Sequence, residues 1–133
     1  MNDWCQEFLR HPTETSPSVS YNDSTRTLVL GGQSYPSNAL EFFGPIFQSV
    51  REFFAAGQNE LNLEIKLIYF NSASNKFLHE LLGLLVEFKN QGRQIKVTWH
   101  HDPQDLEMRE EIVDFSEDFP SLEIRIDASP MRG

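Results

Sequence analysis

The stretch 61-LNLEIKLIYFNSASNKFLHELLGLLVEFKNQG-92 decides the fold. Leu61, Leu63, Ile65 and Leu67 alternate with Asn62, Glu64 and Lys66, the two-residue period of a strand with one apolar face. Ile68, Tyr69 and Phe70 then fill both parities, which predicts a central strand buried on both faces at its C-terminal end. After the polar junction Asn71, Ser72, Ala73, Ser74 the period changes. Phe77, Leu78, Leu81, Leu82, Leu85 and Phe88 form a broad apolar stripe at helical spacing, predicting a helix over 74–90 that stops near Gly92. A strand passing directly into a helix needs a crossover and a parallel partner strand.

The flanks supply the partners. Downstream, Ile95, Val97 and Trp99 alternate as a strand over 94–99, His100 to Gln104 read as a loop, and a helix is expected over 105–117. Leu122, Ile124 and Ile126 make a last strand. Upstream, Ser18 to Tyr21 and Thr27 to Leu30 flank a polar loop of about five residues, which reads as a hairpin ended by Gly31 and Gly32. In 34-SYPSNALEFFGPIFQSVREFFAAG-57, Ser37 or Asn38 caps a short turn through Phe43. Gly44 and Pro45 then restart a helix over 45–55, since proline suits a first helical turn. Right-handed crossovers turn this order into a single α/β domain: a mixed, mostly parallel five-stranded sheet with an antiparallel edge strand and packed helices. Residues 18–127 form that domain, 1–17 a loosely attached arm, and 128–133 a fraying tail.

The chain has 133 residues, long enough for one domain with a real core. Eleven basic and 20 acidic side chains give a net charge of −9. That balance disfavours nucleic acid and anionic membrane as partners. Residues 101–133 alone carry 3 basic and 10 acidic groups, either a solvated face or one that meets a partner. The single cysteine, Cys5, leaves no disulfide framework. With neither a signal-peptide pattern nor a membrane-length apolar run, a soluble cytoplasmic protein is expected.

Little in the sequence suggests an enzyme. Gly31 and Gly32 lack the third glycine of a dinucleotide loop, and no phosphate-loop motif occurs. His100, His101 and Asp102, with Asp105 and Glu107 behind, are the sole metal-like cluster. Adjacent residues on an extended chain point to opposite sides, so only one of these histidines converges easily with the carboxylates. A small metal-dependent hydrolase is the reading that this cluster would support, but no cofactor or metal is expected. Ser72 and Ser74 are more informative. Either hydroxyl caps the helix or, alternatively, accepts a phosphate lying over unpaired N–H groups at the positive helix end.

YFNSASNKFLHELLGLLVEFKNQG, followed by IKVTWHHD and preceded by GGQSYPSNALEFFGPIF, resembles the SiaC-type biofilm-regulation phosphoproteins over about residues 18 to 119. The resemblance implies a STAS-like domain without enzymatic activity. It implies phosphorylation by a cognate Ser/Thr kinase, dephosphorylation by a PP2C-type phosphatase, and an unphosphorylated form that binds and activates a diguanylate cyclase. A related antagonist of the anti-anti-sigma kind, acting on transcription, is the alternative within the same fold. Position by position the resemblance puts the phosphoacceptor at Ser72. The switch surface around it comprises Tyr35, Pro36, Asn38, Asn71, Ser74, His100 and Asp102. Ser37 and His101 depart from the family pattern, in loops expected to edge that surface.

Overall fold

The computed structural model describes residues 18–34 and 38–130. Residues 1–17, expected to be a loosely attached arm, and residues 35–37 and 131–133 lie outside the described residues, and with them Cys5, Tyr35, Pro36 and Ser37. Strand β1 (Ser18–Asn22) turns into β2 (Thr27–Ser34), and helix α1 (Ala39–Ala55) leads to β3 (Glu60–Phe70). Helix α2 (Ser72–Asn90), β4 (Gln94–His101), α3 (Leu106–Asp118), a 3-10 turn (Pro120–Leu122) and β5 (Arg125–Ala128) follow. The strands lie in chain order, β1 antiparallel to β2 and every other pair parallel. This is a STAS-like α/β sheet with β3 at its centre. Because the parallel strands are laid down in one direction, right-handed crossovers stack α1, α2 and α3 on the same face.

That face holds the core. Leu28, Leu30, Leu61, Leu63, Ile65, Ile95, Val97 and Trp99 are buried beneath Phe43, Ile46, Phe53, Leu78, Leu82, Ile112 and Phe115. Each large side chain so buried contributes about 1.5–3 kcal/mol. Phe77 of α2 stacks on Phe43 of α1 with centroids 5.5 Å apart and meets Phe47 at 6.0 Å. These rings fix the first half of α2, and hence the β3–α2 junction. The opposite sheet face is polar: His100 on β4 reaches Glu64 on β3 at 2.9 Å and Asp127 on β5 at 3.5 Å.

Several boundaries differ from the sequence-based expectations. Gly31 and Gly32 do not end β2, which runs on to Ser34 because β3 continues to pair with it. Gly32 absorbs the irregularity with φ +89°. Helix α1 is continuous from Ala39 through Pro45, with Asn38 as its cap. The carbonyl that Pro45 cannot bond is that of Glu41, and both residues are exposed, so the missing hydrogen bond falls on the solvent side of the helix where it costs least. The junction Ser72–Ser74 is already the first turn of α2. His100 and His101 belong to β4 rather than to a loop. Leu122 sits in the 3-10 turn, and Glu123 adopts φ 50° before β5 begins at Arg125.

The end of β3 is not buried on both faces. Gly32 pairs with Leu67 and Gln33 with Tyr69, so Ile68 is an extra residue on β3. This bulge reverses the parity beyond it. Phe70 turns into the core at 6% exposure, while Tyr69 turns outward at 51%.

Candidate functional site

Pairing between β3 and β4 stops at Ile65–Trp99, although β3 continues to Phe70. Beyond that point the last residues of β3 border a cleft of about 360 Å³. It is lined by Tyr69, Phe70, Asn71, Ser72, Asn75 and, from α3, Glu111. A second hollow of similar size adjoins it, sharing Asn75 and Glu111 and continuing to His79, Asp114, Phe115 and Asp118. Together they form a groove between α2 and α3 with Ser72 at its head.

Three side chains set the geometry at that head. Asn71 is the N-cap of α2: its side-chain oxygen accepts from the Ser74 N–H at 2.9 Å. Ser74 is fully buried and engaged twice, with the Ser34 hydroxyl at 2.8 Å and the Ser34 carbonyl at 2.9 Å. The Asn71 N–H donates to that same carbonyl at 3.0 Å. The end of β2 is thereby tied to the start of α2 through buried hydrogen bonds, each worth about 1 kcal/mol net. Ser72, the first helical residue, is exposed, and no hydrogen bond holds its hydroxyl among the described residues. Its own N–H and that of Ala73 belong to the set that no helix can satisfy internally.

The remaining sequence-singled residues are spread over the same end of the sheet and beyond it. Asn38 caps α1 through the Glu41 N–H at 3.1 Å. Asp102 accepts from the Gln104 N–H at 2.9 Å and shapes the turn into α3, which Asp105 caps through the Met108 N–H. His100 does not line the cleft; it is held on the polar sheet face by Glu64 and Asp127. His101, expected to edge the switch surface, is instead an inward-facing residue at 2% exposure, with Nδ1 2.8 Å from the Asp102 carbonyl. Among the described residues no group of three or more His, Cys, Asp or Glu side chains is placed to hold a metal ion. No helix among them is long and apolar enough to cross a membrane.

Asn75, His79 and Glu111 complete the groove and were not picked out from the sequence. The usable signal was spacing: Asn75 lies three residues after Ser72 and His79 four after Asn75, along one helix face. His79 contacts the Asn75 carbonyl at 3.0 Å and Asp118 at 3.1 Å, with its ring against Phe115. Glu111 is exposed overall, yet the groove wall takes its carboxyl partly out of water. This desolvation, followed by the charges of Asp105, Glu107 and Asp114, raises its pKa above the usual carboxylate value.

Residues 10–129 match the SiaC family of regulatory phosphoproteins. The chain belongs to that family. The protein PA14_02130 of Pseudomonas aeruginosa strain UCBPP-PA14 is similar to it, 34% identical over 106 residues, which are 80% of this chain and 84% of that protein. The crystal structure of apo-SiaC from Pseudomonas aeruginosa superposes with a TM-score of 0.83 at 33% identity, covering 90% of this chain and 96% of that one. The crystal structure of the diguanylate cyclase SiaD in complex with its activator SiaC matches with the same score and identity, covering 89% and 96%. Membership in a regulatory phosphoprotein family agrees with reading the chain as a regulator rather than an enzyme.

Proposed function

We propose that this SiaC-family chain is a phosphorylation-controlled activator of a diguanylate cyclase. Its unphosphorylated form binds the cyclase, a cognate Ser/Thr kinase modifies Ser72, and a PP2C-type phosphatase restores the hydroxyl. The observation that carries this reading is the contrast between two serines in one helical turn. Ser74 is buried and doubly bonded, whereas Ser72 is exposed at the head of the groove. The similarity to SiaC, which activates SiaD, supports the choice of partner.

The physical mechanism follows from position. A phosphate on Ser72 adds a charge of about −1.5 to −2 beside the positive end of α2, whose free N–H groups stabilise it in place. The modified chain keeps its fold but presents a hydrated dianion where the partner meets a neutral surface. The test is direct. Incubation with the kinase should add one phosphate by intact mass, and peptide mapping should locate it at Ser72. Titration calorimetry should then show at least a tenfold preference of the cyclase for the unphosphorylated chain, about 1.4 kcal/mol. Equal affinities, or phosphate on another residue, would refute the proposal.

A further inference from the structure

Helical geometry sets Ser72 between two unlike neighbours. With a turn of about 100° per residue, Asn75 lies about 60° to one side of Ser72 on α2 and Lys76 about 40° to the other. Asn75 lines the groove, as does Glu111 from α3. Lys76 borders neither hollow. It is exposed and holds no hydrogen bond or ion pair among the described residues.

The two sides also differ in charge. On the groove side Glu111 is surrounded by Asp105, Glu107 and Asp114, and partial burial with these charges already disfavours its anion. Arg109, the single lysine or arginine of α3, is two positions from Glu111 and so points about 160° away from it. His79, the next titratable group along the groove, is engaged by the Asn75 carbonyl and by Asp118. On α2, Lys76 is the sole lysine or arginine between Asn71 and Phe88. A group attached to Ser72 can therefore meet a cation on its own helix without breaking an existing bond.

We infer that Lys76 is the internal counter-ion of a phosphate on Ser72, and that the pair holds the phosphate on the exposed side of α2 rather than in the groove beside Glu111. The inference rests on the proposed function for its phosphoacceptor and adds the residue that positions the modification. Helical side chains four residues apart have Cβ atoms about 5–6 Å from each other, and an anion N-terminal to its cation is the favoured order. The phosphate oxygens and the Lys76 ammonium thus meet without any movement of the backbone. Placement in the groove would instead set a dianion against the Glu111 carboxylate in a partly desolvated wall. Lys76 is a positioning residue: the modified chain carries a local ion pair where the unmodified chain carries an isolated cation, and the groove stays free of phosphate.

The experiment uses the full chain with phosphoserine genetically encoded at position 72, so that every variant is modified whether or not the kinase accepts it. Phosphorus NMR follows the second ionisation of the phosphate, ordinarily near pH 6. That ionisation adds about one unit of negative charge, as the ionisation of a glutamate does. Lys76→Gln should therefore raise its midpoint by about 0.2–0.4 pH unit, the equivalent of one i, i+4 pair. Lys76→Arg should keep the wild-type midpoint, and about 500 mM salt should reduce the difference by at least half. Glu111→Gln should move the midpoint by less than half as much as Lys76→Gln. Both positions are exposed, so circular dichroism should be unchanged. A Lys76→Gln midpoint within about 0.1 pH unit of wild type would overturn the inference. A larger shift in Glu111→Gln than in Lys76→Gln would put the phosphate in the groove and overturn it equally. Either failure leaves Ser72 standing as the switch, whereas a kinase that modifies another residue would defeat the proposed function without altering this measurement.

Discussion

Asn71 and Ser72 are neighbours with unequal expected effects on stability, and the difference follows from one hydrogen bond. Asn71→Ala removes the 2.9 Å bond that holds the Ser74 N–H. Loss of an asparagine cap costs about 0.5–2 kcal/mol, with a centre near 1. The upper half of that range is expected because Ser74 is buried, so water cannot readily replace the missing acceptor. Unfolding entropy scales at about 2.1 cal/mol/K per residue, or about 0.28 kcal/mol/K for this chain, so each 1 kcal/mol lowers Tm by about 3–4 °C. Ser72→Ala deletes an exposed hydroxyl at the first helical position and adds a better helix former. It should therefore stay within about 0.5 kcal/mol of wild type. Urea unfolding followed by circular dichroism measures both, with an unchanged m-value confirming that the denatured state is the same. Asn71→Asp, which keeps the acceptor, should recover most of the loss. A Ser72→Ala penalty as large as that of Asn71→Ala would refute this assignment of the cap.

Ser74→Ala should destabilise by about 1–3 kcal/mol, since it strands the buried Ser34 hydroxyl; chemical denaturation reads the loss. Gly32→Ala should cost about 1–2 kcal/mol in the same assay through its φ of +89°, although no atom crowds the added Cβ. Glu111 has its folded-state pKa raised, so the chain is favoured below the ordinary carboxylate pKa and loses that favour as pH rises through the folded value. Glu111→Gln should thus stabilise by a few tenths of a kcal/mol at pH 7, the scale of a relieved i, i+4 repulsion with Glu107. That gain should disappear below about pH 4; a gain persisting there would point to packing instead.

The element order, the mixed sheet with its antiparallel edge strand, the three helices and the one-sided alternation of Ile95, Val97 and Trp99 were legible because period and side-chain type agree in those segments. The misreadings occur where local rules and tertiary pairing compete. Gly31 and Gly32 look like a strand end, but pairing with β3 carries the strand to Ser34. Pro45 looks like a helix start, yet it falls on an exposed side where a broken hydrogen bond is cheap. His100 and His101 look like a polar pair, but the pleat sends one to a carboxylate bridge and the other into the core. Ser72 was legible as a junction residue. That Asn71 rather than Ser72 caps the helix was not, because both residue types serve as caps and their spacing permits either.

The bulge at Ile68 also bears on which changes of chain length this fold tolerates. A regular strand that loses one residue reverses every side chain on one side of the cut. In β3, removal of Ile68 itself would leave Leu67 inward, Tyr69 outward and Phe70 inward, the alternation that an unbulged strand requires. A residue lost slightly earlier, at Lys66 for instance, could be made good by drawing the surplus residue into register, reversing only Leu67 and Ile68. The strand thus holds one residue of slack upstream of Ser72. A one-residue deletion is absorbed before it reaches the β3–α2 junction, whereas a one-residue insertion finds no such reserve and rotates the junction away from the groove.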